Sequence, residues 1–407
     1  MYAKLLSVDL DGFIFFDAEA EAFGLTPTPP PPIRADAWPA TTAFGTLGSL
    51  EASAGPDQPA DAAPIAIAAP PSEDDGAWIT AHSREDRLDA TSDAALPDGQ
   101  SPDVDALRVR FTSAVAARAQ RADADDFTGD GKAIVVIDTG WSPFYDRSNT
   151  VFSYDFSGRN DADASVRTLY SHGSWVAEVA TGVAEDADII HLKVFDDAGR
   201  GASTRDIEEA LRWTIRNVDG FDVVAVNLSL GFGNATSATR THLSDEFAAL
   251  DRMGVFVSVA AGNDGQRYKN GVNVLAADPS VVGVSATTSA DRFASWSQKH
   301  AAMTDIAALG DRVYVESTVG AAFLVSGTSF AAPYVSGAVA RIQEAAEHVF
   351  GRGAQLQDEA VLGILRASGD RVVGASKSWG GAVVADADAA VDWFLDHASA
   401  YADSVFV

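Results

Sequence analysis

The sequence contains no cysteine among its 407 residues, which excludes disulfides, thiolate metal sites and a cysteine nucleophile. Basic residues are scarce, because 29 Lys and Arg stand against 58 Asp and Glu and give a formal net charge of -29. Nucleic acids and anionic membrane surfaces are bound through basic patches, so neither class of partner is expected. No stretch of about eighteen residues is both apolar and free of charge, and the sequence therefore predicts no membrane-spanning helix.

The chain divides by composition into four parts. Residues 1–103 are rich in Ala, Pro and Asp and poor in residues that form a core, which predicts a largely disordered region, with an atypical propeptide as one interpretation. Apolar residues at helical spacing within 104–128 predict a lead-in helix and linker. Residues 129–395 are predicted to form one compact domain, and 396–407 a C-terminal tail. Asp9 and Asp11 interrupt the first apolar stretch, so a conventional secretory signal is not predicted.

Alternating apolar runs and amphipathic segments in the compact part predict an α/β fold. Residues 133–137 (AIVVI) form a short run that is apolar throughout, as is typical of a parallel strand buried on both faces. Further strands are predicted at 189–195, 222–228, 255–260 and 281–286. Helices are predicted at 204–217 and 242–253, between strands, so the pattern indicates βαβ units around a mainly parallel sheet.

Ser329 is the centre of the most informative stretch of the chain. It lies in residues 327–333 (GTSFAAP), directly before apolar residues at helical spacing. A serine at a helix start is commonly a simple N-cap. The same position also offers unpaired backbone N–H groups and a dipole that favours negative charge on the serine oxygen, both of which suit a nucleophile.

Two further polar residues lie where an α/β sheet places site residues. Asp138 follows the strand at 133–137, at the carboxyl edge of the predicted parallel sheet. His172 precedes Val176 and Val179, which repeat at helical spacing, so it is expected at the start of a helix. Taken singly, such an Asp is often a turn residue and such a His often a packed one.

Four motifs together resemble the subtilisin-like serine proteases, the subtilase or peptidase S8 family. They are DTG at 138–140, HGSWVA at 172–177, AAGNDG at 260–265 and GTSFAAP at 327–333. The order Asp, His, Asn, Ser agrees with subtilisin and differs from the chymotrypsin and α/β-hydrolase orders. The resemblance implies a three-layer subtilisin-like fold with helices on both faces of the sheet. It also implies a serine endopeptidase with the triad Asp138, His172 and Ser329 and with Asn263 in the oxyanion hole.

The resemblance also assigns the remaining expected site residues. Residues 229–231 are similar to the family's substrate-binding edge, and residues 260–262 to the second wall of its P1 pocket. Asp264 could face the base of that pocket and favour Lys or Arg in the substrate. The predicted substrate-binding residues are Ser229, Leu230, Gly231, Ala260, Ala261, Gly262 and Asp264. The chain departs from the family pattern at Ser174 for Thr, Trp175 for His, Glu178 for Gly and Leu309 for Pro.

Two other functions use the same scaffold. A peptide-maturation transpeptidase or macrocyclase would pass the acyl group to an amine, and an inactive scaffold would only bind peptides. The chemistry requires no cofactor, and structural Ca²⁺, common in the family, cannot be assigned to residues here. Polypeptides are the expected substrates. The tail ends in ADSVFV, similar to signals read by bacterial one-step (type I) export systems, so secretion without an N-terminal signal is expected, with a cytoplasmic location as the alternative.

Overall fold

The computed structural model describes residues 80–81, 124–158, 162–166, 168–197 and 201–406. The predicted lead-in helix and almost all of residues 1–103 lie outside the described residues. Six helices are described: α1 His172–Val183, α2 Thr204–Phe221, α3 Ser244–Arg252, α4 Thr328–Phe350, α5 Asp358–Ser368 and α6 Ala387–His397. Short 3₁₀ turns lie at Ala124–Asp126, Leu275–Ala277 and Ala398–Ser404.

Fifteen strands are described, and nine of them form the central sheet. In chain order the strands are β1 Thr80–Ala81, β2 Ala133–Asp138, β3 Thr150–Asp155, β4 Asp188–Lys193, β5 Val223–Leu228, β6 Leu230–Gly231, β7 Phe256–Ala260, β8 Val282–Thr287, β9 Ile306–Leu309, β10 Val313–Glu316, β11 Ala322–Val325, β12 Gln355–Leu356, β13 Asp370–Arg371, β14 Val383–Val384 and β15 Val405–Phe406. The central sheet has the order β13-β14-β9-β8-β7-β5-β2-β4-β3. All its pairs are parallel except β13 with β14.

The sheet is buried on both faces, which confirms the predicted three-layer α/β architecture. Successive residues of β2 alternate between two hydrophobic clusters, since Ile134 and Val136 pack on the side of α1 and α4, and Val135 and Ile137 on the side of α2 and α3. This alternation follows from the period of two along a strand. It explains why a central strand reads as an unbroken apolar run, with every residue of β2 buried.

The helices agree with the amphipathic segments of the sequence and differ mainly at their ends. The helix predicted at 204–217 continues to Phe221, and Asp222 ends it in a left-handed conformation with φ 52°. The helix predicted at 242–253 begins at Ser244 and ends at Arg252. Ser171 caps α1, because its hydroxyl accepts a hydrogen bond from the backbone N–H of Ser174.

The C-terminal tail is paired with the domain. After the 3₁₀ turn at Ala398–Ser404, β15 runs antiparallel to β12, with Gln355 opposite Phe406 and Leu356 opposite Val405. Leu356 is fully buried. The described tail therefore pairs with the domain as a short strand.

Candidate active site

Asp138 and His172 lie together at the carboxyl edge of the sheet. Asp138 is the last residue of β2, and His172 is the first residue of α1. Nδ1 of the imidazole lies 2.9 Å from Oδ1 and 3.0 Å from Oδ2 of the carboxylate. Both residues are buried, with 0% of Asp138 and 8% of His172 exposed. A carboxylate in this position selects the tautomer with the proton on Nδ1, so Nε2 is left as the basic nitrogen.

Two glycines allow the loop after Asp138 to touch the start of α1. Gly140 has φ 89°, and a Cβ built there would lie 2.1 Å from the carbonyl oxygen of Ala164. A Cβ at Gly173 would lie 2.3 Å from the carbonyl oxygen of Gly140. Thr139 links the same elements, because its hydroxyl accepts a 2.9 Å hydrogen bond from the N–H of Gly173. A side chain at Gly173 would therefore push the start of α1 away from the loop after Asp138, and one at Gly140 would push that loop away from Ala164.

Ser329 lies beside this pair, in the first turn of α4. The next residue, Phe330, packs against the imidazole of His172 with 5.6 Å between ring centroids. Ser329 is fully buried, and its hydroxyl donates to the carbonyl oxygen of Ser229 at 3.3 Å. Nε2 of His172 is buried and has no hydrogen-bond partner within the described part of the chain. The serine hydroxyl thus donates to the Ser229 carbonyl and not to Nε2 of His172.

Asn263 faces the start of α4 from the end of β7. Its Oδ1 accepts hydrogen bonds from the backbone N–H of Thr328 at 2.9 Å and from the Thr328 hydroxyl at 3.0 Å. The Thr328 hydroxyl oxygen also accepts from the N–H of Gly262 at 3.0 Å. With the amide oxygen fixed by two donors, the Asn263 amide nitrogen is turned away from Thr328. Thr328, the residue before Ser329, therefore sets the orientation of the Asn263 amide.

The edge predicted to bind substrate already carries an antiparallel strand from the same chain. β6 pairs with β1, with Thr80 opposite Gly231 and Ala81 opposite Leu230. Ser229, the residue before β6, is the one whose carbonyl accepts the Ser329 hydroxyl. The edge accordingly has the backbone geometry needed to bind an extended peptide by strand addition.

Residues 129–372 match the family model of the subtilase family, Peptidase_S8. The chain belongs to the subtilase family. The curated relatives include subtilisin-like protease 7 of Arthroderma otae, 31% identical over 219 residues, with 53% of this chain and 52% of the relative covered. The subtilisin-like serine protease Pen ch 13 of Penicillium rubens is 32% identical over 230 residues, with 53% of each chain covered. The chain thus spans about half the length of the curated relatives that it matches.

Solved structures agree with this assignment of the subtilase fold. A protease from Pseudoalteromonas arctica superposes with a TM-score of 0.54 at 23% identity, over 66% of this chain and 92% of that protein. A cold-adapted subtilisin-like serine proteinase gives a TM-score of 0.51 at 26% identity, over 64% of this chain and 89% of that one.

Glu178 is the most consequential departure of this subtilase from the expected motif. It lies on α1, and its Oε1 accepts a 2.7 Å hydrogen bond from the backbone N–H of Glu316 in β10. Burial, together with the charges of Glu316 and Asp146, raises the pKa of Glu178 to about 8. Its Oε2 has no hydrogen-bond partner among the described residues. Trp175, the other large departure, donates its indole N–H to the hydroxyl of Tyr145.

The predicted pocket residues differ in their exposure to solvent. Ser229, Leu230 and Ala261 are fully buried, and Ala260 is 2% exposed. The Ser229 hydroxyl accepts from the side chain of Asn227 at 2.8 Å and donates to the carbonyl oxygen of Ser329 at 2.7 Å, so it is bonded within the protein on both sides. Asp264 is exposed. Sequence reasoning did not single out Thr328 or Asn227, whose buried hydrogen bonds give no sequence pattern of their own.

No metal centre is evident within the ranges that the structure describes. There, no three His, Asp or Glu side chains come together as metal ligands. None of the helices in those ranges is sufficiently long and apolar to span a membrane.

Proposed function

We propose that this subtilase is a serine endopeptidase that hydrolyses peptide bonds through an acyl-enzyme. The observation that carries the proposal is the pair formed by Asp138 and His172, whose buried imidazole packs against Phe330, the residue after Ser329. A serine hydroxyl is a weak nucleophile on its own and requires such a base.

The reaction follows from the roles of these groups. Rotation about the Cα–Cβ bond of Ser329 turns its hydroxyl from the Ser229 carbonyl towards Nε2 of His172, which takes the proton as Oγ attacks the substrate carbonyl. Asp138 stabilises the imidazolium that results. His172 then returns the proton to the leaving amine, and a water molecule, activated by the same nitrogen, releases the acyl group and regenerates the hydroxyl.

Asn263 supports the step in which negative charge develops on the substrate oxygen. Thr328 holds Oδ1 of its amide, so the NH₂ group is the end that can turn towards the cleft. Together with the backbone N–H of Ser329 at the start of α4, it would donate to that oxygen. Because both donors are fixed before substrate binds, little reorganisation is required in the transition state.

Labelling with a fluorophosphonate tests the proposal directly. The wild-type chain should be labelled on Ser329 and should cleave casein, and Ser329→Ala should abolish both. Ser295→Ala, at an exposed serine of the same domain, is the matched control and should retain both activities. Labelling that persists in Ser329→Ala would refute the assignment. Product masses distinguish hydrolysis from acyl transfer, because a cyclised or ligated peptide lacks the added water, and no contact among the described residues favours transfer.

The N-terminal region is proposed to act as a propeptide that occupies the substrate edge. The support is the antiparallel pairing of Thr80–Ala81 with Leu230–Gly231, since a peptide substrate would need the same backbone groups. We expect a chain that begins at residue 124 to cleave short peptides with a lower KM than the Ser295→Ala full-length control. An unchanged KM would contradict this role for the segment.

We further propose that the protease acts outside the cell and reaches its site by a type I export system that reads the C-terminal tail. The carboxylate of Asp403 and the apolar residues that follow it support this route. Removing residues 403–407 should leave the protein inside cells that carry the exporter. Because β15 pairs with β12, the stability of the shortened chain is the necessary control.

A further inference from the structure

The two walls expected to enclose the P1 side chain are tied together by a third segment. We call residues 229–234, which follow β5, the first wall, and residues 260–264, at the end of β7, the second wall. Residues 271–275 run between them. Val274 donates its N–H to the carbonyl oxygen of Phe232 in the first wall at 2.9 Å, and Asn273 donates its N–H to that of Ala261 in the second wall at 2.7 Å.

The side chain of Asn273 fills the space between these walls. It is 1% exposed, and its amide nitrogen donates to the carbonyl oxygen of Ala260. Its Oδ1 accepts from the N–H groups of Leu275 at 2.8 Å and Ala276 at 3.1 Å. A Cβ built on Gly231 would lie 2.4 Å from Cγ of Asn273. The carboxamide therefore packs directly against the backbone of the first wall while it is bonded to the second.

A second carboxamide crosses between the walls nearer their ends. Gln298 is 2% exposed, and its Nε2 donates to Oδ1 of Asn234 at 3.0 Å and to the carbonyl oxygen of Gly233 at 3.4 Å. Its Oε1 accepts from the N–H of Asp264 at 3.4 Å. A Cβ at Gly262 would lie 2.1 Å from the same Oε1. Both walls are thus bridged twice, each time by an uncharged amide.

We infer that Asn273 and Gln298 form the floor of a short, uncharged P1 pocket, which makes the enzyme selective for small neutral P1 residues such as Ala and Ser. This inference rests on the proposed endopeptidase function. A longer P1 side chain would have to displace carboxamides from buried hydrogen bonds, which leaves polar groups unpaired. Asp264, the carboxylate that could favour a cationic P1 residue, is exposed and not buried beside these amides.

The test compares kcat/KM for peptides that differ only at P1, with Gly, Ala, Ser, Leu, Phe or Lys. The Ala and Ser peptides should be cleaved about tenfold or more faster than the Phe and Lys peptides. Asn273→Ala should raise the ratio of the Phe rate to the Ala rate about tenfold, because it removes the floor. Asn273→Asp has the same size and should raise only the ratio of the Lys rate to the Ala rate. Asn270→Ala, at an exposed position nearby, should change neither ratio.

The inference is overturned if the wild-type enzyme cleaves the Phe or Lys peptide as fast as the Ala peptide, or if a folded Asn273→Ala keeps the wild-type ratios. Should Asn273→Ala fail to fold, the wild-type ranking and the Lys ratio of Asn273→Asp still decide. A chain that is labelled by fluorophosphonate but ranks the peptides differently defeats only the pocket inference. A chain that is neither labelled nor cleaves any peptide defeats the proposed function as well.

Discussion

The hydroxyl of Ser229 donates a 2.7 Å hydrogen bond to the carbonyl oxygen of Ser329, which lies 100 residues further along the chain. In an uninterrupted α-helix this carbonyl would accept the N–H of the residue four positions later. That residue is Pro333, which has no N–H and lies inside α4. Pro333 thus leaves the Ser329 carbonyl available to accept the Ser229 hydroxyl, which gives a physical reason for a proline within this helix.

This relationship can be tested with a double-mutant cycle at Ser229 and Pro333. The free energy of unfolding is measured by chemical denaturation in a Ser329→Ala background, which prevents self-digestion. Ser229→Ala should lower the free energy of unfolding by about 1–3 kcal/mol, because it leaves a buried carbonyl without its donor. Adding Pro333→Ala supplies a helical N–H to that carbonyl and should recover part of the loss. Strictly additive effects of the two substitutions would show that they do not share this acceptor.

Asp138→Asn should reduce kcat by about 10⁴-fold with little change in KM. An amide can donate to Nδ1 and so favours the wrong tautomer of His172, although it fits the same space. The rate of fluorophosphonate labelling should fall in parallel. Asp186→Asn, at an exposed carboxylate, serves as the control. Retention of activity within about tenfold by Asp138→Asn would mean that the carboxylate does not support the base.

Thr328 should act as a positioning residue for the oxyanion amide. Thr328→Val removes the hydroxyl that binds Oδ1 of Asn263 and the N–H of Gly262, so kcat should fall while KM changes little. Thr328→Ser keeps the hydroxyl and should restore most of the activity. Asn263→Ala should lower kcat by roughly 10²–10³-fold, a magnitude measured for the oxyanion amide of subtilisin itself and borrowed from it. An equal loss of activity in the Val and Ser variants would contradict this role, because the Ser variant keeps the hydroxyl.

Glu178 should make the folded state less stable as the pH rises. Its pKa is about 8 in the folded chain against an ordinary value of 4.5, so the folded state holds a proton between these values that the unfolded state has lost. The free energy of unfolding should therefore decrease from about pH 5 to pH 8, by up to about 1.4 kcal/mol per pH unit from this group.

Glu178→Gln should remove that slope, since the amide keeps an acceptor for the N–H of Glu316 but does not ionise. The measurement is the unfolding free energy at several pH values across that window, again in a Ser329→Ala background. Glu185→Gln, at an exposed position after the same helix, should leave the slope unchanged. A wild-type slope that survives in Glu178→Gln would assign the pH dependence to other groups.

The proposed catalytic positions are visible in the sequence because each one lies in a recognisable local pattern. Asp138 ends an apolar run, His172 and Ser329 begin helices, and the strand-helix alternation brings the ends of parallel strands to one edge. The adjacent strands β7, β5 and β2 carry Asn263, Ser229 and Asp138 at or just after their ends. The fold class, together with the subtilase order of the motifs, therefore predicts that these residues lie close together.

Other features give no signal of this kind. β3 is only partly buried and its residues are mixed, so it does not read as a strand of the central sheet. Asn273 and Gln298 look like loop residues, and their bridging role depends on segments distant in sequence that meet in space. The pairing of Thr80–Ala81 is made by backbone groups within a Pro- and Ala-rich tract, which leaves no side-chain pattern to detect.

The helix that bears Ser329 passes beneath β2, β5, β7, β8 and β9 and also packs on α1. Its 23 residues therefore belong to the same cooperative unit as the strands that carry the other site residues. We therefore expect the proposed triad to lose its order together with the sheet. On heating, loss of fluorophosphonate labelling and loss of tertiary structure are expected to follow one curve.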